Sequence, residues 1–180
     1  FIASYELIKS GLPVAATNYN FEKNEESAEF TSSTELTGVA AWFSSEQVKE
    51  RSLLEFTKQQ VQVEHYHYQQ SGKDAHIIDS QFDQSTMIVP TKIDQQAEVE
   101  TSFTAPTWDK LSMLLALMGH AKGSEKELEI STLDKTEIRQ YQLSQTAEQE
   151  IETDEDVWVK TIRWERLHKN RKTVFFLDPA

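Results

Sequence analysis

The chain has 180 residues, no cysteine, and 30 acidic against 18 basic side chains, a formal net charge of −12. That balance repels phosphate backbones and anionic membrane surfaces, so nucleic acid is not an expected partner. The missing cysteine removes disulfide scaffolds, thiolate zinc sites and thiol nucleophiles from consideration. With 38% hydrophobic residues the chain is too apolar for disorder, and one β-rich domain over 1–180 can bury roughly 70% of its unfolded surface. The longest apolar run, Leu111 to Met118, is far short of the ~20 residues of a membrane-spanning helix.

Alternation with period two dominates from the first residues, where Phe1, Ala3, Tyr5 and Leu7 share a face. Gly11-Leu12-Pro13 turns the chain into a second strand, Val14–Lys23, and Asn24-Glu25-Glu26 separates that from Ala28–Leu36. Further strands are expected at Val39–Phe43, Val48–Thr57, Val61–Gln69, Ala75–Phe82, Ser85–Ile93 and Ala97–Phe103. After one interruption the series resumes with Glu127–Ser131, Thr136–Leu143, Val157–Leu167 and Thr173–Leu177. Short strands at close intervals indicate a mostly antiparallel meander or barrel-like sheet. The interruption reads as a helix over 107–121. Thr107 or Asp109 can cap it, Leu111, Leu114, Leu115 and Met118 form its apolar face, and Lys122-Gly123 stops it. The acidic stretch from Glu148 to Asp156 lacks the spacing of a calcium loop and reads as a solvated hairpin loop.

Two constellations suggest chemistry. In His65-Tyr66-His67-Tyr68 a strand would point both imidazoles to one face and both phenols to the other. His76 on the next strand is the third imidazole that a metal would need, although nothing fixes a fourth ligand. Trp158 and Trp164 share a face of the late strand with Lys160 and Arg166, a mixture suited to an aromatic-lined, partly open groove. Together with Trp42, Tyr66 and Tyr68 they form the candidate contact set for a lipid-like or other apolar ligand. No nucleophile elbow, phosphate loop, dinucleotide fingerprint or helical two-histidine zinc motif is present. No residue is therefore assigned to catalysis, and no cofactor or resident metal is expected. A carboxylate pair or a metal at His65/His67 is the only hydrolase reading left open.

Several stretches resemble a bacterial domain family of unknown function, usually exported, known as DUF3108. They are Phe1 to Leu7 with Gly11, Leu36 to Phe43, Glu50-Arg51-Ser52, Tyr66-His67-Tyr68 with Ser71-Gly72-Lys73, Trp108 to Ser112, and Arg166 through Pro179. The resemblance implies a removed export signal, a periplasmic or envelope location, and a curved antiparallel sheet, an open or half barrel, packed against one helix. It also implies a further strand after the last segment, so the chain is expected either to lack that strand or to carry an uncovered edge. No activity comes with it. The expected role is non-enzymatic binding of a lipid-like molecule or of an envelope protein, the latter through an exposed sheet edge.

Overall fold

The computed structural model describes residues 1–42, 44–57, 60–104, 106–121, 123, 125–152, 157–168 and 171–177. The first eight strands form one antiparallel meander in sequence order: β1 Ile2–Lys9, β2 Leu12–Lys23, β3 Ser27–Leu36, β4 Gln47–Phe56, β5 Val61–Gln70, β6 His76–Gln81, β7 Ile88–Ile93 and β8 Val99–Ser102. The second sheet holds β9 Thr107–Trp108, β10 Glu127–Asp134, β11 Glu137–Glu152, β12 Trp158–His168 and β13 Arg171–Leu177. Its order is β13-β12-β11-β10-β9, and only the two-residue β9 runs parallel to its neighbour. Among the described residues neither sheet closes on itself and one helix is present, α1 Met113–Ala121, so the fold is mainly β with curved antiparallel sheets.

The helix lies between the sheets. Leu111 joins Phe30, Leu54, Val63, Tyr66 and Val89 of the first sheet in one buried cluster, against which Leu114 and Leu115 pack. Met113, Ala116 and Leu117 join Ile130, Tyr141, Leu143 and Trp164 of the second sheet in another. A helix held on two sides buries more than one stripe, and that corrects two expectations. Met118 is largely exposed, whereas Met113 and Leu117 are buried. The helix also starts later than position 107, because Thr107 and Trp108 pair with Ser131 and Thr132 before the chain turns in.

Two other segments depart from the sequence reading. Gly38 to Trp42 is a 3₁₀ turn rather than a strand. Gly38 has φ +57°, and a Cβ there would stand 3.0 Å from the Pro13 carbonyl, so the chain bends at the one residue that tolerates the approach. The first part of the acidic stretch is strand: β11 runs to Glu152, with Glu150 directly opposite Lys160 of β12. The rest, 153–156, lies outside the described residues, as does Lys122 of the expected helix stop.

Candidate functional site

A break in register builds the interior of the first sheet. Leu53 pairs with His65 but Leu54 pairs with Val63, so Glu64 is an extra residue on β5. The bulge puts Val63 and Tyr66 on the same inner face, where strict alternation would separate them. His65 and His67 consequently face outward, and Tyr66 and Tyr68 inward.

On the inner face, the Tyr66 hydroxyl donates to Glu50 Oε1 at 2.7 Å and the Ser32 hydroxyl donates to Oε2 at 3.2 Å. Burial, reinforced by the nearby Glu50 charge, pushes the Tyr66 phenol far above its ordinary range, so it remains a donor at any physiological pH. Beside it lies Asp109, which is fully buried. Its Oδ1 accepts from the Leu111 and Ser112 amides at 2.8 and 2.9 Å and from the Ser52 hydroxyl at 2.8 Å, and Oδ2 accepts from the Ser112 hydroxyl at 2.7 Å. Asp109 is thus the cap that the sequence offered, and it also ties the helix start to β4. Burial raises its carboxyl to about 6 against the opposing pull of these hydrogen bonds. Every contact of this carboxylate serves the helix start or β4, and its chemistry is that of a cap.

On the outer face, Asp79 bridges the two outward histidines. Its oxygens lie 3.1 Å from His65 Nε2 and 3.0 Å from His67 Nδ1. Partial burial works to raise the Asp79 carboxyl, but both imidazole contacts outweigh it and the net shift is downward. His76 does not join them. Its ring lies tilted 5.0 Å from the Tyr68 ring on the other face, and its Nδ1 meets the Asp74 carbonyl. Among the described residues no group of three histidines, aspartates or glutamates is arranged to hold a metal ion. The partner of His65 and His67 that sequence reasoning missed is Asp79, reachable only through the β5–β6 register, in which His67 faces it directly.

The five aromatic candidates are distributed rather than gathered. Tyr66 lies in the first core cluster with Tyr68 packed on its edge, and Trp164 is buried in the second. Trp42 on the 3₁₀ turn and Trp158 at the start of β12 are 83% and 61% exposed. Further exposed apolar side chains, Ile2, Tyr5, Leu7 and Ile8, lie on β1, an edge strand of the eight-stranded sheet.

A solved structure with the same architecture is a β-barrel-like protein of domain of unknown function DUF1849 from Brucella abortus. It aligns with a TM-score of 0.55 at 12% identity, over 99% of this chain and 86% of its own, a likeness of fold alone. No curated protein matches this chain. No described helix is long and apolar enough to cross a membrane. The family model described as "Protein of unknown function (DUF3108)" matches residues 2–179, nearly the whole chain, and the chain belongs to that family.

Proposed function

We propose that this chain is a binding module of the bacterial cell envelope that takes an extended segment of a partner protein onto the edge of β1. The observation that carries the reading is the state of that edge. Phe1 exchanges both backbone hydrogen bonds with Phe21, at 2.8 and 2.9 Å. In an antiparallel ladder the alternate residues Ile2, Ser4 and Glu6 then turn their N–H and C=O groups away from β2. Among the described residues no strand takes them up. Sheet edges are ordinarily blunted by charge, proline or brevity. This one is eight residues long, has no proline, and carries Ile2 and Ile8 at 79% and 65% exposure beside only two charged residues, Glu6 and Lys9. Such an edge matches strand addition, in which backbone bonds supply affinity and alternate side chains select the partner. The envelope location rests on the export that the family resemblance implies.

Glu6→Pro tests this, because it removes an outward N–H while leaving the backbone bonds to β2 in place. A photo-crosslinker at Tyr5, in the full protein expressed in its own host, should capture one defined partner segment. The proline variant should lose that capture while keeping its circular dichroism spectrum. Capture that survives the proline refutes strand addition. A lipid-like ligand is the second reading, favoured by the two exposed indoles, Trp42 and Trp158. A native mass that falls on solvent extraction, with loss of that adduct in a Trp42→Ala/Trp158→Ala variant, would support it over the first.

A further inference from the structure

The outer face of the first sheet carries a depression of about 570 Å³ that the edge-binding reading does not use. Its lining follows from strand register. One row of directly opposed residues runs Asn20, Thr31, Arg51, His67 across β2 to β5. The adjacent row runs Asn18, Ser33, Lys49, Gln69 across the same strands. Because opposed residues of an antiparallel pair share a face, the two rows form one polar floor, and Ile2 of β1 closes an end. Five strands at the usual spacing make this trough about 19 Å long.

The rows differ in how they are held. In the first, Arg51 is fixed by Glu29 at 2.7 Å, His67 by Asp79 at 3.0 Å, and the Asn20 amide by Glu22 at 2.8 Å. In the second, the Asn18 side-chain oxygen accepts from the Ser4 hydroxyl at 2.6 Å, whereas Ser33, Lys49 and Gln69 make no side-chain hydrogen bond or ion pair among the described residues, so their donors and acceptors are open. One row is thus an ordered wall, and the other, beyond Asn18, offers a free hydroxyl, ammonium and amide group.

We infer that this trough binds a linear, hydroxyl-rich glycan bearing widely spaced carboxylates, with one carboxylate seated on Lys49. Three observations select that class. Amide and hydroxyl side chains both donate and accept, which suits sugar hydroxyls better than apolar chains. Ile2 is the sole aliphatic residue among those lining the trough, and an apolar ligand would cover the open Ser33, Lys49 and Gln69 groups without giving them a partner. Lys49 is the unpaired cation there, and the chain carries −12 overall, so a densely charged polyanion is repelled beyond that one contact.

The test titrates the intact protein with three hexasaccharides: hyaluronan (alternate acidic units), maltohexaose (neutral) and heparin (densely anionic). Binding is followed by backbone amide shifts and calorimetry. The hyaluronan hexamer should perturb amides of β2 to β5 and bind at least tenfold more tightly than either other sugar. Lys49→Ala should weaken it about tenfold, the scale of one charge-assisted hydrogen bond. Both targets are solvent-exposed, so Lys49→Ala and Gln69→Ala should keep the wild-type melting temperature. Equal binding of maltohexaose, preference for heparin, indifference to Lys49→Ala, or no trough shifts at millimolar sugar would each overturn the inference. The Glu6→Pro variant, which leaves every trough residue in place, should bind the hexamer normally, and this separates failure of this site from failure of the β1 edge.

Discussion

Replacing Asp109 by Asn tests whether a buried charge is being carried for the sake of the helix start. Asparagine caps about as well as aspartate, and its oxygen can take the place of Oδ1 toward the Leu111 and Ser112 amides and the Ser52 hydroxyl. The asparagine Nδ2 then turns a donor toward Ser112 Oγ, as a protonated carboxyl would, so the substitution keeps the other three bonds and removes the ionisation. The Asp109 carboxyl stands at about 6 against an ordinary 3.8. That gap of about two units is equivalent to roughly 3 kcal/mol at ~1.4 kcal/mol per unit. The sign follows from linkage. Between the two values the folded state holds a proton that the unfolded state has released, so stability is full below about pH 4 and is lost as pH rises through 6.

Urea unfolding of both proteins at pH 4, 5, 6 and 7, followed by tryptophan fluorescence, measures this directly. Asp79 and Glu29, whose carboxyls are lowered, titrate in both proteins and cancel in the difference. Asp109→Asn should match wild type near pH 4 and gain on it by about 3 kcal/mol at pH 7. Asp109→Ala should instead lose several kcal/mol at every pH, because two amides and two hydroxyls would be left buried without their acceptor. A wild-type-to-Asn difference that stays constant from pH 4 to 7 would refute the assignment of a desolvated charge.

Three further outcomes follow from the packing. Tyr66→Phe should cost about 1–2 kcal/mol in urea unfolding, since Glu50 keeps only its Ser32 contact. Trp164→Ala should cost about 3–5 kcal/mol, whereas Trp164→Phe should cost much less, because the buried indole N–H makes no hydrogen bond among the described residues. Asp79→Asn should leave stability at pH 7 within about 1 kcal/mol, since the Asp79 side chain is half exposed. Its small contribution is present above the ordinary carboxylate value and fades as acid protonates Asp79, and the histidine side-chain resonances should report the lost contact at neutral pH.

Strand alternation, the cap at Asp109 and the single apolar helix are all visible in the residues themselves, because each depends on neighbours within one turn or one pleat. Misplaced features depended on longer-range contacts. Met118 belongs to the apolar face of an isolated helix, but the second sheet takes Met113 and Leu117 instead. Val39–Phe43 has strand composition, yet Gly38 approaches Pro13 from 25 positions away and bends the chain. Phe43 itself lies outside the described residues.

Register explains why the outer trough could not be read from the sequence. Period two says that Asn18 and Asn20 share a face, and likewise Lys49 and Arg51 on their own strand. It says nothing about which residue of β4 stands opposite which residue of β3. A shift of one position would carry Lys49 and Gln69 to the inner face and bring Glu50 and Tyr68 out in their place. The bulge at Glu64 illustrates how little is needed: one added residue re-aims everything beyond it on β5. The inner face holds this register firmly, because slippage would expose Phe30, Leu54 and Tyr66 together. The apolar core thus fixes a polar pattern on the opposite side of the same strands, and the placement of Lys49 beside Ser33 and Gln69 is set by residues that never touch them.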